Sequence, residues 1–115
     1  MLYFELIKKS MKYFIVNYTH PDEEGWKKFL QPHIDFLVDC VSKGYIYSSG
    51  PIMDSNVRSA MIIFSVESKA EAERLISEDP YTIHGQVGSC TIFEWTPLFG
   101  IMSNGTNEIP QELIS

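Results

Sequence analysis

Cationic side chains are scarce in this chain of 115 residues: 9 Lys and Arg stand against 15 Asp and Glu, a formal net charge of −6. That balance opposes general binding to phosphate backbones and anionic membranes, so neither nucleic acid nor membrane is an expected partner. Cysteine is scarcer still. Cys40 and Cys90 are the only two, with no CxxC and no Cys/His cluster at metal-ligand spacing, so neither a disulfide framework nor a metal site is expected. Both thiols read as buried and free, in a reducing cytoplasm. No apolar run is long enough to span a bilayer. Met1 to Ser10 is apolar for only a few residues, includes Glu5 and lacks the regions of a secretory signal, so none is expected. A Gly-rich phosphate loop and a Ser or Cys nucleophile in a recognised motif are also missing, and no cofactor is expected.

What the chain does have is core material. Hydrophobic residues make up 44% and aromatic residues 13% of the sequence, enough for one domain with a real interior. Met11 stands directly before the first clear strand, so residues 1–10 read as an N-terminal arm, 11–100 as the domain and 101–115 as a polar tail broken by Asn104-Gly105 and Pro110. Met11 to Tyr18 is rich in aromatic and β-branched residues and reads as a strand. Asp22 to Lys43 reads as helical, with Gly44 as its stop. A strand over Tyr45–Ser49 is closed by Gly50-Pro51, and a third strand runs from Arg58 to Val66. Ser68 and Glu71 match a capping box, starting a helix that Pro80 ends at Asp79. Ser89 to Thr96 is the fourth strand.

The order is βαββαβ, an α+β, ferredoxin-like pattern in which two helices cover one face of a four-stranded antiparallel sheet. Strand 3 offers Met61, Ile62, Ile63 and Phe64 in succession and strand 4 carries Ile92, Phe93 and Trp95, so both sheet faces are apolar in places and the uncovered one invites a partner sheet. A second copy of the chain, packed face to face as a dimeric α/β barrel, supplies it.

The first helix carries the sharpest functional signal. At about 100° per residue, Trp26, Leu30, Leu37, Cys40 and Val41 share a stripe, with His33 near its middle and Asp35 and Asp39 pointing away. Pro32 either kinks this helix or starts a fresh one with Gln31 at its cap. His33 is then either a core histidine bonded to a carbonyl or a functional group needing a cavity and a partner. Asp79 is a candidate partner, since Ala72, Leu75, Ile76 and Asp79 fall on the packed side of the second helix. It also fits an Asx turn introducing Pro80. His20 and His84 fall in loop or helix-end positions and read as solvated, and Asp22-Glu23-Glu24 reads as a solvated acidic helix start.

The series Pro32-His33 with Ile34, Phe36 and Leu37, then Gly44, Gly50-Pro51, Asp79-Pro80-Tyr81 and Gly85, resembles the YciI-like (YCII-related) domain over about 11–99. The resemblance implies a dimeric α/β barrel with a His/Asp-centred pocket, similar in architecture to muconolactone isomerases and small dehydrohalogenases. By motif position it implies His33 and Asp79 as the catalytic pair, and the pocket places Gly50, Pro51 and Tyr81 at the substrate. The ending Trp95-Thr96-Pro97-Leu98-Phe99 only approximates the family's basic, proline-containing one.

A carboxylate that accepts one imidazole N–H fixes the tautomer and readies the other nitrogen to take a proton. The expected function is proton abstraction from a small, aromatic or similar substrate, leading to isomerisation or to elimination such as dehydrohalogenation. Tyr81 is a candidate oxyanion donor. The alternative is a non-catalytic dimer that binds a small ligand or regulates through it. An RNA-binding domain of the same topology ranks third, because Arg58 to Val66 lacks the glycine and aromatic spacing of that class.

Overall fold

The computed structural model describes residues 11–103 and 109–114. Strands β1 (Lys12–Thr19), β2 (Ile46–Pro51), β3 (Ser59–Val66) and β4 (Cys90–Trp95) form one antiparallel sheet in the order β2-β3-β1-β4. Helices α1 (Glu23–Lys28) and α2 (Leu30–Ser42) join β1 to β2, while α3 (Lys69–Glu78) and α4 (Pro80–Ile83) join β3 to β4. This is the expected α+β, ferredoxin-like arrangement. The arm expected at residues 1–10 lies outside the described residues, as do 104–108 and 115 of the tail, where Gln111–Leu113 forms a short 3₁₀ turn.

Strand alternation decides the core. Phe14, Val16 and Tyr18 of β1 point to the helices beside Phe64 and Ile62 of β3, and Cys40, Ala72, Leu75 and Ile76 close over them. The intervening residues of the same strands, with Phe93 and Trp95 of β4, form the opposite face, where Phe93 is 63% exposed.

Proline placement explains where the helices depart from expectation. The region 22–43 holds two helices, because the chain breaks at Phe29 (φ −100°, ψ 11°). In one continuous helix Pro32 would leave a carbonyl one turn back without its N–H and crowd it; restarting at Leu30 puts Pro32 in a first turn, where no N–H is needed. The start is thus Phe29, not Gln31. The new phase buries His33 and Cys40 and turns Val41, expected inside, to 56% exposure. At the other crossover Pro80 both ends α3 and opens α4 as its first residue. Gly50-Pro51, expected to follow its strand, forms the last two residues of β2. There the missing N–H of proline is tolerated because β2 is an edge strand.

Gly44 takes φ +81° just beyond α2, as a helix stop requires. Ser68 caps α3 through the Glu71 N–H at 3.2 Å, but the Glu71 carboxylate turns to Arg74, so half of the capping box forms.

Both cysteines are free, yet they differ. Cys40 is buried, as expected, and burial pushes its thiol up to about 11. Cys90 is exposed, contrary to expectation, because it opens the edge strand β4. Burial raises the Cys90 thiol pKa as well, which slows its reaction. The native protein should therefore take up one equivalent of a maleimide at the accessible Cys90, faster than at Cys40, and a second only on unfolding. Equal labelling rates at the two positions would contradict this packing.

Candidate active site

Asp79 sits at the joint between α3 and α4 with none of its surface exposed. The residue before a proline is driven to extended backbone, and Asp79 adopts φ −64°, ψ 128°. That conformation makes it the N-cap of α4: its Oδ1 accepts the Tyr81 backbone N–H at 2.9 Å. Two further donors converge on the same carboxylate. His33 Nδ1 lies 2.8 Å from Oδ1 and 3.0 Å from Oδ2, and the Tyr18 hydroxyl donates to Oδ2 at 3.4 Å. Burial and, after it, the negative charge of Asp79 raise the Tyr18 pKa, which keeps that hydroxyl a donor. Asp79 therefore fills both roles open to it in the sequence, turn residue and histidine partner.

His33 is held from both sides. The first turn of α2 carries it inward, and the Tyr81 ring stacks on the imidazole at 3.9 Å between centroids and 6° between planes. The Tyr81 hydroxyl donates to the Trp26 carbonyl at 2.8 Å, so it is committed to α1 and does not serve as the expected oxyanion donor; Tyr81 meets the cavity with its ring.

These groups line a cavity of about 180 Å³ with Tyr18, Leu30, Ile34, Ser49, Gly50, Pro51 and Arg58 among its walls. The structure thus brings His33, Gly50, Pro51 and Tyr81 to one space, with Asp79 directly behind His33. Hollows of about 390 Å³ beside Lys43 and Glu71 and about 720 Å³ near Tyr47 and Trp95 are larger, but neither contains a buried ionisable pair. Among the described residues no group of three or more His, Cys, Asp or Glu could hold a metal ion.

One member of the site differs from its expected placement. His20, expected in solvent, is only 3% exposed and lines the same cavity, because the end of β1 carries it between the Tyr18 and Tyr81 rings, each 4.6 Å away. Its Nδ1 lies 2.7 Å from the Gln86 carbonyl. The signal that could have found it is its position one residue past an alternating strand, in phase with Phe14, Val16 and Tyr18. His84 is exposed, as expected, although its ring stacks on Phe29 at 4.0 Å.

Removing the carboxylate should be costly. Asp79→Ala leaves the Tyr81 N–H, His33 Nδ1 and the Tyr18 hydroxyl without their shared acceptor, for an expected loss of about 2–4 kcal/mol in urea unfolding. Asp79→Asn keeps one carbonyl oxygen for Tyr81 and should lose less. Equal losses would show that the cap bond contributes nothing.

The His20 pKa is lowered, chiefly by burial. Between the lowered folded value and the ordinary one near 6.5, the unfolded chain binds more protons, so stability is complete above that range and falls as pH drops through it. His20→Gln should flatten this part of the stability profile, measured by denaturation from neutral to mildly acidic pH.

The family model of the YCII-related domain matches residues 11–96. Among solved structures, the chain is similar to 5-chloro-2-hydroxyhydroquinone dehydrochlorinase (TftG) from Burkholderia phenoliruptrix AC1100, in complex with 2,5-dihydroxybenzoquinone. The TM-score is 0.56 at 16% identity, covering 72% of this chain and 93% of that one. A dimeric ferredoxin-like protein from an uncultured marine organism matches at TM-score 0.46 and 10% identity over 73% of this chain and 84% of its own. An Arabidopsis thaliana protein matches at 0.45 and 10% over 78% and 99%. No curated protein matches. The chain belongs to the YCII-related domain family.

Proposed function

We propose that this protein is a small-molecule enzyme in which His33 abstracts a proton and Asp79 supports it. The observation that carries the reading is the 2.8 Å contact between His33 Nδ1 and a carboxylate with no exposed surface, beside a cavity. With Nδ1–H donated to Asp79, the nitrogen left for a substrate is Nε2. On taking a proton there, the ring becomes an imidazolium directly facing a carboxylate, and Tyr81 stacking fixes its plane.

Two outcomes share that first step. In an elimination, the C–H electron pair becomes a C=C bond as a leaving group departs with its own pair from the adjacent carbon. In an isomerisation, His33 returns the proton to a different carbon of the same substrate. The name of the dehydrochlorinase that shares the fold supports the elimination. Gly50 and Pro51 would shape the substrate's side of the cavity, since both line it from the end of β2. The ligand in this reading is a small molecule and not a nucleic acid, in keeping with the net charge of −6. Two free cysteines agree with a cytoplasmic setting, and among the described residues no helix is long and apolar enough to cross a membrane.

His33→Gln and Asp79→Asn should each lower proton-transfer turnover by about 10²-fold or more, with the circular dichroism spectrum retained. A substrate-free check is the NMR titration of the His33 ring in the wild type and in Asp79→Asn. If the two curves coincide, the groups are uncoupled and the site reverts to ligand binding without catalysis.

The working unit in this reading is a homodimer. The sheet face opposite the helices leaves Met61 of β3 38%, and Trp95 and Phe93 of β4 36% and 63%, exposed, large apolar side chains without cover. Sedimentation at micromolar concentration should give twice the chain mass, and Phe93→Glu should halve it. A wild type that sediments as a monomer would rule the dimer out.

A further inference from the structure

The second histidine of the cavity is left over once His33 and Asp79 have their roles. His20 is 97% buried by the measure of its 3% exposure, and its Nε2 has no hydrogen-bond partner. A buried polar atom without a partner costs about 1–3 kcal/mol, so its persistence calls for an explanation. The ring's other nitrogen determines what Nε2 can be. A carbonyl can only accept, so at 2.7 Å from the Gln86 carbonyl Nδ1 must carry the hydrogen, and in the neutral ring Nε2 is then a bare acceptor. Gln86 holds this arrangement firmly. Its backbone N–H donates to the Tyr81 carbonyl at 2.7 Å, and its side chain packs so tightly on Gly25 that an added Cβ there would lie 2.1 Å from Gln86 Oε1.

A cation stands on the same wall. The Arg58 guanidinium lies over the Trp26 ring, its carbon 4.5 Å from the centroid, and has no carboxylate partner among the described residues. Arg58, His20 and His33 all line the one cavity. Its volume of about 180 Å³ equals the share of about six liquid waters, which suits a single substituted ring. Flat aromatic walls are already present in Tyr18 and Tyr81.

We propose that His20 Nε2 is a substrate-reading acceptor: it takes the hydrogen of a ligand hydroxyl while Arg58 faces an anionic oxygen of the same ligand. The substrate class is then a small planar ring or enol bearing both a hydroxyl and an acidic oxygen. This rests on the acid/base reading of the cavity and adds its selectivity. His20 suits the task because burial opposes its protonation, which would erase the acceptor. Burial is the largest influence of all; the His33 and Arg58 side chains also oppose a charge there, while the Gln86 carbonyl and the Asp79 carboxylate favour one.

The test compares two probes that differ in one hydrogen-bond donor, para-hydroxybenzoate and para-methoxybenzoate, by calorimetry on the full-length protein. The wild type should prefer the hydroxyl probe by tenfold or more. His20→Phe, which keeps a ring between Tyr18 and Tyr81, should bind both probes alike, whereas Arg58→Gln should weaken both and keep the preference. Should His20→Phe fail to fold, nitrogen NMR of histidine-labelled wild type gives the same answer: the His20 Nε2 resonance moves with para-hydroxybenzoate and stays with para-methoxybenzoate. Equal affinity for the two probes in the wild type, a preference that survives His20→Phe, or no binding of either at millimolar concentration would overturn the proposal. Failure of the acid/base reading looks different, since a hydroxyl preference that depends on His20 can persist while the His33 titration ignores Asp79→Asn.

Discussion

The carboxylate of Asp79 is the constraint on which the rest of the site depends. A carboxylate with no exposed surface needs its lone pairs occupied. Here a backbone N–H from α4, an imidazole from α2 and a phenol from β1 occupy them. Three elements distant in sequence are thereby tied to one point, and the tie works only if each has its particular geometry. Pro80 sets the extended backbone that aims the carboxylate inward, and the break at Phe29 sets the phase of α2 that aims His33 at it. Two prolines, 48 positions apart in the chain, thus act on the two halves of one contact.

Much of this was legible in the sequence because local rules governed it. Alternation in β1 and β3, the helix stop at Gly44 and the end of α3 before Pro80 follow from backbone sterics and side-chain periodicity, which act within a few residues. The contact between His33 and Asp79 was legible for a related reason: each stood where an apolar stripe would place a hydrophobe, and two anomalies on facing elements suggest one another as partners.

What escaped the sequence depends on distant parts of the chain. His20 follows a strand and looks like the start of a loop, and only the sheet's closure against Tyr81 and the Gln86 carbonyl buries it. Cys90 shows the reverse. Its strand alternates like any other, yet β4 lies at the sheet edge where little covers it, so the pattern overstates the burial. Tyr81 lines the cavity, but its hydroxyl partner, the Trp26 carbonyl, belongs to a helix whose separate existence the periodicity did not reveal. For His20 and Tyr81 the deciding partner lies 66 and 55 positions away.

The two buried histidines of the cavity place the same side chain in two different electrostatic surroundings. Each uses Nδ1 to meet a fixed oxygen, so in the neutral ring each offers a bare Nε2. The oxygens differ in charge. A proton arriving at His33 creates a cation against the Asp79 carboxylate, an attraction that strengthens as water is excluded. A proton arriving at His20 creates a cation against a neutral carbonyl with the Arg58 charge nearby, and burial then works against it. In the proposed reaction the first ring would carry the proton and the second would remain an acceptor. Substituting Asp79 would blur that division and uncap α4 as well, whereas the acceptor facing His20 is a backbone carbonyl that a change of the Gln86 side chain leaves in place.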